Sequence, residues 1–209
     1  MTIPGVDVVT AATLAAVIGD IRRFPTARHL VGYLGLHPTI RQSGNGPARH
    51  GRTSKEGPAA ARHVLVEAAW SAAKSPGPLR AFAQRTAARR GRHVATVAVA
   101  RKLAVLAWHL LTRGEDYAFA RPSLVRRKLR TLELKAGAPP AKPGPRRNPV
   151  WKTANDDAER QLAERAETAY RRLVADWRAS GPKAGAGATP ERASQRPSKG
   201  KAARQATSS

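Results

Sequence analysis

Residues 41–55 read RQSGNGPARHGRTSK, and they concentrate the chemistry of this chain. Ser43 stands before Gly44 among Arg41, Arg49, His50, Arg52 and Lys55. A hydroxyl in such a setting can attack a phosphodiester, because the surrounding cations hold the phosphate and soften its charge. The same cations also suit a simpler role, a basic turn that touches only a nucleic acid backbone. Thr53 and Ser54 are competing hydroxyls, and Ser54 is placed to cap the helix that follows.

The bulk charge agrees with either role. The chain has 209 residues and 38 Lys+Arg against 14 Asp+Glu, a formal charge of +24. So large an excess favours a polyanionic partner, nucleic acid first and an anionic membrane surface second. Ribosomal and chromatin-like proteins share this balance. There is no cysteine, which excludes disulfides and thiolate metal sites and suits a cytoplasmic protein. The N-terminal apolar stretch has no basic flank and is too short to span a bilayer, so neither a signal peptide nor a membrane anchor is expected.

Metal chemistry finds little support. His29, His37, His50, His63, His93 and His109 show no ligand spacing. The carboxylates of the first 118 residues, Asp7, Asp20, Glu56, Glu67, Glu115 and Asp116, show no strand-borne pattern. Two-metal phosphoryl chemistry needs clustered carboxylates. No metal site is expected in this chain.

The elements that must position Ser43 read as helices. Asp7 caps a helix over residues 8–18, with Leu14 and Ile18 on one face, and Gly19 stops it. Further helices are expected at 26–34, 58–74, 79–90 and 93–111, the last being the central core helix. The second of these presents Val66, Ala69, Trp70 and Ala73 to the core. The expected buried set is Leu14, Ile18, Leu34, Val66, Trp70, Val99, Leu103, Leu106 and Leu110. Residues 35–57 form a loop too long to be an idle connection. Little strand is expected, since only residues 36–40 alternate.

A second candidate site lies at the start. Ile3-Pro4-Gly5-Val6-Asp7 resembles the turn of a helix-hairpin-helix, in which backbone N–H groups meet a phosphate without reading sequence. Asp7 would compete for those amides, and a capped core helix is the alternative. Farther on, residues 121–136 make a basic helix with Arg126, Arg127, Lys128 and Arg130 as nucleic-acid contacts. Residues 137–149 form a linker. A long charged helix over 153–178 carries a seam of Leu162, Ala166, Ala169, Leu173 and Trp177. Residues 179–209 are a disordered basic tail. Three zones result: 1–118, a compact helical bundle; 119–178, a basic helical extension; and 179–209. The fold class is mainly α.

Several motifs in one order carry a resemblance: IPGVDVVTAATLAAVIGDIRRFPTARHLVGYLGLHPTIRQSG, then GRTSKEG, AARHVLVEAAW, SPGPLRAF and VAVARKLAVLAWHLLTRGEDY. Over about residues 1–135 the chain resembles the C-terminal domain of IS-110 insertion-sequence transposases, the IS-1111 branch in particular. The resemblance implies DNA transposition through circular intermediates, with a serine before glycine as nucleophile. Ser43 is the matching position; the nucleic-acid contacts read from the residues themselves are Arg41, Gly44, Arg49, His50, Arg52 and Lys55 in the loop and, separately, Gly5 in the turn at the start.

The resemblance also implies partners: DNA at the element ends and target, a guide RNA in some members, and a dimeric or tetrameric assembly at the nucleoid. It further implies Mg2+ held by the carboxylates of a RuvC-like N-terminal domain, which these motifs do not include. A C-terminal fragment that is inactive alone is the expectation, with a sequence-indifferent DNA- or RNA-binding remnant as the alternative.

Overall fold

The computed structural model describes residues 1–44, 46–139 and 149–180. The expected linker core at 140–148 and the basic tail at 181–209 lie outside them. Among the described residues the protein is mainly helical, with one short hairpin. In order come α1 (Val8–Ile18), a 3-10 turn (Ile21–Arg23), α2 (Ala27–Tyr33), β1 (Pro38–Arg41), β2 (Arg49–Thr53), α3 (Ala59–Ala72), α4 (Pro78–Arg90), α5 (Arg92–Arg113), α6 (Pro122–Lys135) and α7 (Pro149–Ser180).

Local chemistry explains the boundaries. The Asp7 carboxylate accepts from the Thr10 N–H at 2.8 Å and caps α1. Gly19 ends it at φ 59°, its N–H returning to the Ala15 carbonyl. Pro78 opens α4 at a position where a missing N–H costs nothing. Gly114, left-handed at φ 66°, closes α5.

Helix α5 is the axis of the core. By length and composition alone it could cross a membrane. Here its Val99, Ala100, Leu103 and Ala104 are buried, and α2, α3 and α4 pack around it. Small side chains at Ala61, Ala68, Ala69 and Ala72 let α3 lie close to its neighbours. The Trp108 indole, on the same helix, donates to the Phe24 carbonyl at 2.9 Å. This bond satisfies a polar group that the core would otherwise strand.

Five expected core residues, Leu14, Ile18, Leu34, Val99 and Leu103, are buried. The other four, Val66, Trp70, Leu106 and Leu110, are only half-buried. On α3 the buried stripe is Ala61, Leu65, Ala68, Ala69 and Ala72, so Leu65 rather than Val66 faces inward. The helix is rotated by about one residue because α1 and α5 press on the alanine-rich side. Nor does Ser54 cap α3. Its hydroxyl accepts from the Glu56 N–H at 3.4 Å and meets His37 Nδ1, and α3 begins after Pro58 without a side-chain cap.

Helix α7 packs against α4 through a different face from the expected seam. Leu162, Leu173 and Trp177 are 62%, 65% and 72% exposed. Ala163 and Glu167 are buried instead. The Glu167 carboxylate accepts from Arg80 at 2.7 Å, from Arg171 at 2.6 Å and from the Gly77 N–H at 3.2 Å. Two of these donors, Arg80 and the Gly77 N–H, lie at the start of α4 and tie the Glu167 face of α7 to it. Burial pushes the Glu167 carboxyl up, but Arg80, the Gly77 N–H and Arg171 together hold it below its ordinary value. Glu159 on the same helix accepts from the Ser123 N–H at 3.0 Å, placing a negative charge at the start of α6.

Candidate nucleic-acid interface

The loop around Ser43 is the tip of an antiparallel β-hairpin. Ile40 pairs with His50 and Arg41 with Arg49, while Pro38 pairs with Thr53. Thr39 thus faces both Gly51 and Arg52, a bulge that bends the hairpin. The Thr39 hydroxyl donates to the Arg52 carbonyl at 3.1 Å. A side chain at position 51 would collide with that hydroxyl, which accounts for Gly51.

Both strands stand in solvent. Ile40 is 61% exposed, and Arg41, Arg49 and Arg52 are exposed beside it. At the tip the Gln42 side-chain amide donates to the Gly46 carbonyl at 3.0 Å, and the Gly46 N–H donates to the Ser43 carbonyl at 3.2 Å. Gly44 takes φ 56°. The Ser43 side chain is exposed, and its hydroxyl has no hydrogen bond among the described residues. Lys55 is exposed at the end of β2, with a left-handed φ of 58°.

The hairpin rises from a tight base. Gly35 and Gly57 are both left-handed, and a Cβ on either would run into backbone, at Glu56 and Tyr33 respectively. The Lys55 N–H donates to the Gly35 carbonyl at 3.1 Å, and the Ser54 N–H to that of His37 at 2.9 Å. Arg62, on the first turn of α3, donates to the Gly57 carbonyl at 2.8 Å and to that of Leu34 at 3.4 Å. Sequence periodicity carries no sign of β2, whose Arg49, Gly51 and Arg52 are exposed.

The start of the chain is arranged differently. Ile3 and Val6 are buried, and Gly5, at φ 84°, lies with its backbone against Ala68 and Ala72 of α3. That contact is near the C-terminal end of α3, whereas the hairpin leaves its N-terminal end. At about 1.5 Å per residue the two are on the order of 15 Å apart along the helix. Gly5 is therefore not brought to the Ser43 hairpin.

Of the α6 cations, Arg126 and Arg127 are exposed, and Arg130 pairs with Glu133 at 2.9 Å. Lys128 turns inward to the carbonyls of Met1, Ile3 and Val6. Burial pushes its ammonium below the usual lysine range, and the Asp7 charge pulls it back in part.

Among the described residues no three of His, Asp and Glu lie together to hold a metal ion. The carboxylates have other work: Asp7 and Asp20 cap helices, and Glu133, Glu164 and Glu167 pair with arginines. They do not fit a magnesium site.

The architecture is that of a strongly basic helical body offering one unengaged serine on a hairpin lined with arginines. Residues 1–84 match the family model described as Transposase IS116/IS110/IS902 family. The chain is 35% identical over 120 residues to the transposase for insertion sequence element IS1111A of Coxiella burnetii, covering 56% of this chain and 33% of that protein. It is 32% identical over 121 residues to a probable family 20 transposase of Pseudomonas aeruginosa, covering 56% and 36%. It is 46% identical over 67 residues to the putative transposase y4qE of Sinorhizobium fredii, covering 32% and 17%. The chain thus spans about a third or less of the length of these relatives.

Proposed function

We propose that this chain is the DNA-binding, serine-bearing part of a DNA transposase. The observation that carries the reading is Ser43, exposed at the tip of an arginine-lined hairpin inside the segment that matches the family. Arg41, Arg49, Arg52 and Lys55 hold a DNA phosphate, with His50 and Gly44 beside it, and reduce its repulsion toward an incoming oxygen. The Ser43 oxygen attacks phosphorus and its proton leaves to a base. One strand end becomes a phosphoserine ester and the other departs as a hydroxyl.

A free hydroxyl is a weak nucleophile. Among the described residues no group of three or more His, Asp or Glu side chains lies together to hold a metal ion. The activating carboxylates, with the Mg2+ they would hold, come from a partner, in the RuvC-like domain or a full-length transposase assembled with this chain.

The test mixes this chain with a full-length relative whose own serine is replaced by alanine, in magnesium, on labelled element-end DNA. A denaturation-resistant band at this chain's mass that is lost in Ser43→Ala supports the proposal. In an assembly verified by co-sedimentation, no band from wild type sinks it. The second reading, a sequence-indifferent binding remnant, is favoured by the unengaged Ser43 hydroxyl. It expects equal, salt-steep binding by wild type and Ser43→Ala and no band from either.

A further inference from the structure

The corner where α4 meets α5 holds an aromatic residue in a basic cleft. The cleft, about 350 Å³, is lined by Phe82, Arg85, Arg89, Arg90, Val94 and Trp177, among others, and among the described residues by no carboxylate. Trp177 is 72% exposed, although the half-exposed Val94 lines the same cleft. Arg85 is held in place: its guanidinium lies 5.5 Å from the Phe82 ring centre and 5.8 Å from that of Tyr170. Arg89 and Arg90 are exposed and make no ion pair among the described residues.

Two arginines in the last turn of a helix offset its carbonyl end, and that alone would explain Arg89 and Arg90. It does not explain why the indole beside them is largely exposed. An aromatic face among guanidinium groups stacks an unpaired base while the cations hold the flanking phosphates. Bases inside a duplex are already stacked and offer no such face.

We infer that this corner is a contact for single-stranded nucleic acid, with Trp177 stacking a base and Arg89 and Arg90 holding the backbone. It is separate from the Ser43 hairpin and does not depend on the role assigned to that serine.

The test measures fluorescence anisotropy of the full chain with labelled oligothymidylate and oligouridylate of about 15 nucleotides and with a duplex of the same length. Trp177→Ala should weaken binding to at least one single strand about tenfold and leave duplex binding within about twofold. Whichever strand binds more tightly identifies the ligand as DNA or RNA. Trp177→Phe, which keeps a ring, should retain most of the affinity. Arg89→Gln with Arg90→Gln should weaken single-strand binding and flatten its salt dependence. Circular dichroism should be unchanged for each variant, since all three side chains are exposed. Wild-type affinity in Trp177→Ala, or equal losses on single strand and duplex, would overturn the inference.

Discussion

The Lys128 ammonium on α6 donates to the Val6 carbonyl at 2.8 Å. It also meets the carbonyls of Met1 at 2.9 Å and Ile3 at 3.3 Å, so its three protons have three acceptors. Lys128→Met should cost about 1–3 kcal/mol, because carbonyls turned away from water lose their donor. Lys128→Arg should not restore the loss, since a planar guanidinium cannot point three donors at one convergent set. Urea melts of the three proteins check this. Wild-type stability in Lys128→Met would show that α6 is not fastened there.

Gly5 and Gly44 are both left-handed, but only Gly5 lies against backbone. Gly44→Ala should cost about 1–2 kcal/mol, the ordinary expense of a left-handed alanine. Gly5→Ala should cost clearly more, because its methyl would run into the Ala68 carbonyl. Thermal melts of the two variants decide the point, and equal losses would contradict the packing of the turn on α3.

Glu167→Gln should loosen α7 from α4 and cost about 2 kcal/mol at neutral pH, since Arg80 loses its buried partner. The carboxyl sits below its ordinary 4.5 in the folded protein, so its contribution is complete above that value. It disappears as pH falls through the lowered folded value. The stability gap between wild type and Glu167→Gln should therefore be constant at neutral pH and close in acid. Denaturation at a series of pH values reads the gap, and one that persists undiminished in acid would rule out the titration.

Ser43→Ala should change stability by less than about 0.5 kcal/mol, because the hydroxyl bonds to nothing in the described fold. Arg49→Gln should lower the slope of log affinity against log salt on duplex DNA by about 0.9, the share of one neutralised phosphate. A slope unchanged in Arg49→Gln, Arg41→Gln and Arg52→Gln would remove the hairpin from the interface.

Helix positions were legible in the sequence where chemistry is local. Asp7 and Gly19 mark the ends of α1 because caps and stops act on neighbouring backbone. Ser43 and its cations were legible as a cluster for the same reason, being within 15 residues of one another in sequence. What remained hidden depends on distant partners. Leu65 displaces Val66 because of where α1 and α5 press. Glu167 looks like a surface charge until Arg80 and the Gly77 N–H are set beside it. Lys128 reads as one of five α6 cations, yet only its contact with residues more than 120 positions away shows that it faces inward.

The glycine pair at the foot of the hairpin has a mechanical consequence. With Gly35 against Glu56, Gly57 against Tyr33 and Arg62 tying both sides, the two strands leave the body as a cantilever clamped at one end. Thermal bending can move the tip, but its mean heading is set by α2 and α3. A body that seats against those two helices therefore also aims the serine, without touching it.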